Sequence, residues 1–190
     1  MKLVVGGLQG SGRTTFANRA ATFGVRIFDT NQIYATRRAS MKTGYSRLSG
    51  PFMESSDDMI NEYKENLPVF LEELGKFVDS FDVILADPFI LNYICDNAPD
   101  GVAHTILITA PQEDQCLRTY EKERLTDPRL IGKSNSYELV KHEYIKEFNR
   151  HQSVINSLED KVDTHIVNNG TLEQYHATID NLLNEHNLLN

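Results

Sequence analysis

Gly7-Leu8-Gln9-Gly10-Ser11-Gly12-Arg13-Thr14 follows the spacing GxxxxGK[ST], with arginine in the lysine place. A run of this kind binds phosphate. Its glycines let the backbone turn tightly and approach an anion that side chains would otherwise hold off. Successive backbone N–H groups and the positive end of the following helix then converge on the β-phosphate of a nucleotide. Gly7, Gly10, Ser11, Gly12 and Arg13 are the expected cradle. Thr14 offers a hydroxyl to magnesium, and Thr15 is placed for the α-phosphate. Arg13 keeps the positive charge, but as a larger, forked group that clamps phosphate oxygens without following a transferred group as a compact ammonium does. The plain alternative is a glycine-rich turn that only joins a strand to a helix.

Phosphoryl transfer also needs a carboxylate to orient or deprotonate the acceptor. Asp87 ends the apolar run Val83 to Ala86 and is the first choice, since ligands of open α/β sheets collect at the carboxyl ends of strands. The same position suits a helix N-cap or a magnesium ligand. Asp29, ending another short apolar run, is the alternative base, and it too could be an N-cap. Between Thr30 and Met53 the chain has no acid, yet carries Arg37, Arg38, Lys42 and Arg47. These cations suit the phosphate of an acceptor, and Tyr34, Tyr45 or Phe52 could stack on a base; an ordinary solvated loop is the competing reading. Arg124 and Arg129 flank or occupy the turn-rich stretch Thr126 to Asn135, which would close over a triphosphate with Lys133 nearby. For Arg118 and Arg150 a surface ion pair on a helix serves equally well.

These groups need a scaffold that gathers strand ends on one edge. Leu3 to Val5, Val25 to Phe28, Phe81 to Ala86, His104 to Thr109 and Thr164 to Val167 are short, nearly continuous apolar runs, as expected of parallel strands covered on both faces. Helical stretches lie between them: Gly12 to Phe23, Glu54 to Val78 with a break at Pro68, Gln112 to Glu123 after Pro111, Ser136 to Leu158, and Thr171 to about Leu183 with Thr171 as N-cap. The expected fold is a three-layer α/β sandwich around a five-stranded parallel sheet. It forms one domain over 1–190 with two insertions, at about Thr30 to Ser80 and about Arg124 to Lys161.

Composition agrees with one such domain. The chain has 190 residues, 40% hydrophobic and 24% charged, near the roughly 150 residues of a common domain. The net charge of −8 disfavours a diffuse grip on nucleic acid, so an anionic substrate must meet a local positive field. Cys95 and Cys116 lack a CxxC spacing and read as reduced thiols of a cytoplasmic protein. The six histidines are too scattered to suggest zinc, and no run is long enough to span a membrane.

The chain resembles the P-loop nucleoside and nucleotide kinases, and among them dephospho-coenzyme A kinases most closely, with deoxynucleoside monophosphate kinases close by. The likeness rests on GGLQGSGRTTFANRAATFGVRIFDTNQIYATR (Gly6 to Arg37), FDVILADPFILN (Phe81 to Asn92), HTILITAPQEDQCLRTYEKER (His104 to Arg124) and VNNGTL (Val167 to Leu172). It covers about two thirds of the chain. It implies ATP and Mg2+, an acceptor-covering role for the insertion at about 30–80, a lid at about 124–161, a proline-containing turn after the third strand, and adenine contact at Asn169 and Gly170, a stretch that with Asn168 reads from the residues alone only as a turn. The family's catalytic carboxylate in its "DAD" pattern falls on Asn31, an amide that cannot accept a proton. Together with the basic insertion, this favours a deoxynucleoside monophosphate over dephospho-coenzyme A as acceptor. Asn31, Tyr34, Arg37, Arg38 and Arg47 become the expected acceptor residues. Competing readings are a kinase of hydroxymethylated bases in viral DNA, a partner less favoured by the charge, and an ATP-binding regulator with weak catalysis. A GTPase ranks last, since no NKxD-like base-reading motif is found.

Overall fold

The computed structural model describes residues 2–30, 80–125, 130 and 136–189, apart from the side chains of Glu147 and Arg150. The expected helix over Glu54 to Val78 and the turn-rich stretch Thr126 to Asn135, Leu130 excepted, lie outside the described residues.

Five strands form one parallel sheet: β1 (Lys2–Gly6), β2 (Ile27–Asp29), β3 (Val83–Ala86), β4 (Ala103–Thr109) and β5 (Thr164–Val167), in the spatial order β2-β3-β1-β4-β5. Side chains alternate between faces along a strand, and the core divides accordingly. Leu3, Val5, Val83, Leu85, Ile106 and Ile108 turn toward α1 (Arg13–Ala21) and α5 (Leu172–Glu185), meeting Phe16, Ala20 and Ile179. Val4, Ile84, Ala86 and Leu107 face the opposite way, toward Ile90 and Leu91 of α2 (Pro88–Asn97) and Ile155 and Leu158 of α4 (Ser136–Glu159). Each large aliphatic side chain so buried contributes about 1.5–3 kcal/mol. Because both faces are covered, Leu3 to Val5 of β1, all of β3 and Ile106 to Ile108 of β4 are continuously apolar. The arrangement is the expected three-layer α/β sandwich. Among the described residues, no helix is long and apolar enough to cross a membrane.

A third cluster joins α3 (Gln112–Glu123) to α4, with Cys116 and Tyr144 buried together and Tyr137 and Phe148 packed against them. Much of the stretch read as the second insertion is therefore α4, whose far end sits in the sheet's core. Both cysteines are free, and burial pushes their thiols up from the ordinary range.

Two elements differ from the sequence reading. The residues after β3 form not a turn but helix α2, with Asp87 as N-cap and Pro88 opening the first turn, where a proline's missing N–H costs nothing. The second strand begins at Ile27 rather than Val25. Val25 is buried by its side chain, yet backbone bonding to the β3 side starts only at Arg26, whose carbonyl accepts from Asp82 and Val83.

The start of α5 is set by a reciprocal cap. Thr171 accepts from the Gln174 backbone N–H, and Gln174 Oε1 accepts from the Thr171 N–H. Thr171→Ala is expected to cost about 1 kcal/mol of stability, read from the urea midpoint at unchanged slope; an unaltered midpoint would contradict that role for the cap.

Candidate functional site

β1 is the central strand, with β3 on one side and β4 on the other. The chain leaving it first builds outward to β2 and β3, and only later crosses to β4. The loop after β1 thus opens at the topological switch point of the carboxyl edge, where α/β sheets bind ligands.

The glycine loop has the geometry that its sequence implies. Gly10 and Gly12 have φ of 78° and 119°, a left-handed region that only glycine enters freely. A β-carbon on Gly10 would run into the Gln115 backbone, and one on Gly12 would lie 2.5 Å from Asn168 Nδ2. Gly12 is the N-cap of α1, with no side-chain cap and no acid in the first turn. The helix itself supplies no acceptor for the leading N–H groups of α1, and its dipole makes an anion the favoured one. Ser11 is completely buried, and its Oγ has no hydrogen-bond partner among the described residues. An orphaned hydroxyl inside such a loop, glycine conformations and an uncapped helix start together fit a phosphate.

Arg13 opens α1. A cation there opposes the helix dipole, so its position makes electrostatic sense when an anion is shared between the guanidinium and the helix N-terminus. Its Nη1 donates to the Ala86 carbonyl at 2.6 Å. That contact draws the loop side toward the end of β3, beside Asp87. Thr14 is exposed and Thr15 half-buried.

Asp87 lies just past Ala86, which is in register with Gly6. Its Oδ1 accepts from the backbone N–H groups of Phe89 (2.8 Å) and Ile90 (3.0 Å). The carboxylate is thereby both a helix cap and a fixed group at the same edge as the loop. Asp29 ends β2 opposite Leu85, and the next residue, Thr30, donates its N–H to the Leu85 carbonyl at 3.0 Å. The fold therefore brings the glycine loop, Arg13, Asp87 and Asp29 to one edge. Asn31, Tyr34, Arg37, Arg38, Lys42, Tyr45, Arg47 and Phe52, together with Arg129 and Lys133, lie outside the described residues, as does the Arg150 side chain. Arg124 closes α3, and its guanidinium is held by Glu121 at 2.6 Å.

Side chains absent from the sequence-derived site also reach the loop. Arg118 has the expected helical partner, Asp114, at 3.8 Å. It also spans the Gly10 and Asn168 carbonyls at 3.4 Å each. Asn168 is buried and donates Nδ2 to the Ser11 carbonyl at 2.8 Å. The Tyr175 hydroxyl donates to the Gly12 carbonyl at 3.2 Å, and burial pushes the phenol well above its usual range, so it stays a neutral donor. Asn169 and Gly170 are exposed beside these contacts, in the turn between β5 and α5.

No family model matches the chain, and no curated protein matches it in sequence. Similar solved structures exist. A Thermus thermophilus protein is 18% identical, with 97% of each chain covered and a TM-score of 0.62. A shikimate kinase from Bacteroides thetaiotaomicron is 14% identical over 98% of each chain, with a TM-score of 0.58. A shikimate kinase from Acinetobacter baumannii, in complex with shikimate, is 16% identical over 97% of this chain and 93% of its own, with a TM-score of 0.54. At these identities the fold is what is shared.

Proposed function

We propose that the chain is an ATP-dependent phosphotransferase that moves the γ-phosphate to a nucleotide or nucleotide-like acceptor, in the first instance a deoxynucleoside monophosphate. The observation that carries this reading is the glycine loop itself: left-handed glycines lead into an uncapped helix N-terminus at the central strand of a parallel sheet, with a carboxylate fixed on the neighbouring strand end. Two fold neighbours named as kinases support phosphoryl transfer as the reaction class.

In this reading the loop's N–H groups and Arg13 hold the phosphates of ATP in line for transfer. Asp87 orients the attacking oxygen of the acceptor, with Asp29 as the alternative. Asn169 and Gly170 border the adenine, Arg129 approaches the developing charge from the lid, and Arg124 does so by exchanging Glu121 for the phosphate at the end of α3. Thr14 and Asp87 would supply hard oxygen donors to a magnesium ion bound with the nucleotide, and the ion would offset the phosphate charge. The acid-free insertion with Arg37, Arg38 and Arg47 gives the acceptor phosphate its counter-charge, and Asn31 and Tyr34 complete that side.

The test is ADP release across a panel of acceptors: nucleosides, deoxynucleoside monophosphates, dephospho-coenzyme A, shikimate, and oligonucleotides with and without hydroxymethylated bases. Stimulation by a deoxynucleoside monophosphate is the expected result. Stimulation confined to oligonucleotides, with binding that falls steeply with salt, would move the reading to a nucleic-acid kinase. Tight ATP binding that no acceptor accelerates would make the chain a regulator.

A further inference from the structure

Three consecutive carbonyls of the glycine loop are each held by a side chain from elsewhere in the fold. Gly10 O accepts from Arg118 of α3, Ser11 O from Asn168 after β5, and Gly12 O from Tyr175 of α5. Gly12 O also accepts the first helical bond of α1, from Phe16 at 2.9 Å. The Arg118 contacts, at 3.4 Å, are long; those of Asn168 and Tyr175 fix the two peptide planes that lead into the helix. In a planar trans peptide the C=O and the next N–H point opposite ways. Holding Ser11 O and Gly12 O toward the β5–α5 unit therefore aims the N–H groups of Gly12 and Arg13 away from it.

The holders are themselves fixed. The Asn168 backbone N–H continues the sheet by donating to Thr109 O at 2.7 Å, and its own carbonyl accepts from Arg118. A group facing a carbonyl must donate, so only the amide nitrogen of Asn168 serves here. Tyr175 stands in the first turn of α5, whose start the Thr171–Gln174 capping box determines. The close approach needs a residue without a β-carbon at position 12, where one would come within 2.5 Å of Asn168 Nδ2 and 3.0 Å of the Tyr175 ring. Gly12 is thus required by the side chains behind the loop as well as by its own φ of 119°.

We infer that Asn168 and Tyr175 are positioning residues that hold the loop in its anion-binding form, so that the carboxy-terminal β5–α5 unit sets triphosphate affinity without touching the triphosphate. This rests on the proposed reading of the loop as a phosphate site. The test compares the parent protein with Tyr175→Phe, which removes a single oxygen, and Asn168→Ala. Calorimetry measures binding of ATP, inorganic tripolyphosphate and adenosine, and thermal melting without ligand checks the fold. The expected result is a loss of about 3- to 10-fold in affinity for ATP and tripolyphosphate per variant, the size of one neutral hydrogen bond, with adenosine binding unchanged. Tripolyphosphate binding by Tyr175→Phe equal to the parent's would overturn the inference, and so would equal losses on adenosine and tripolyphosphate, which mark a merely structural role. If Asn168→Ala does not fold, Tyr175→Phe decides alone. A parent protein that binds neither ATP nor tripolyphosphate would instead refute the phosphate-site reading, and the inference with it.

Discussion

Asp87→Asn is expected to fold as the parent does and to lose turnover by about 10²-fold, the usual cost of leaving a reacting group out of position. The substitution separates two duties that the structure gives to one side chain. Asp87 Oδ1 caps α2 by accepting from Phe89 and Ile90, and asparagine caps a helix about as well as aspartate. The cap, the path of α2 and the buried Ile90 and Leu91 beneath it are therefore preserved. What disappears is the negative charge at the end of β3, and with it the group proposed to orient the acceptor or hold the metal. The urea midpoint should stay within about 0.5 kcal/mol of the parent, as for a substitution that leaves packing and capping intact, while ADP release at saturating ATP and acceptor collapses. Retention of most of the turnover would sink the assignment and pass it to Asp29, which lies two strands from β1 on the same edge. Repeating the assay at high magnesium separates the remaining roles: recovery there assigns Asp87 to holding the metal, and no recovery assigns it to the acceptor.

What could be read in the sequence depended on how local each determinant is. The loop was legible because its glycines, arginine and hydroxyl are consecutive and the flanking strand and helix are short-range features. α3 starts after Pro111 and α5 after Thr171 as expected, since capping chemistry is written within three or four residues. α2 was missed although Asp87-Pro88 is a good helix opening. Its residues Phe89 to Cys95 are mostly apolar without a clear polar face, and such a run gives no periodicity to read. Val25 misled because side-chain burial begins before backbone pairing does. The supports of the loop were the least legible part. Asn168 lies 157 residues from Ser11, and Tyr175 163 from Gly12, and nothing in either neighbourhood marks a contact that only the parallel sheet creates. For Arg118 the sequence does show the local partner, Asp114, and that partner masks the longer reach to Gly10.

The second large effect is expected at Arg13. Arg13→Ala should lower turnover by about 10²- to 10³-fold, comparable to removing one preorganised donor from a developing charge. Its stability should not fall in step, because a cation at the start of α1 opposes the helix dipole and its removal relieves that repulsion. Arg13→Lys is the sharper experiment. In the structure the guanidinium donates to the Ala86 carbonyl at 2.6 Å, a contact that a flexible lysine can also make and can leave more easily. An ammonium is a compact point charge that can follow the phosphoryl group as it moves, whereas the planar fork of arginine grips two oxygens in one place. If the position serves only as a mobile positive charge, Arg13→Lys keeps or raises turnover, and ATP affinity changes little. If this chain depends on the fork, the lysine variant resembles the alanine one, with turnover and ATP affinity falling together. Measuring KM for ATP and kcat for both variants decides between these outcomes. A large loss in Arg13→Lys would establish that arginine has its own role in this loop, holding the triphosphate and the β3 edge in one geometry.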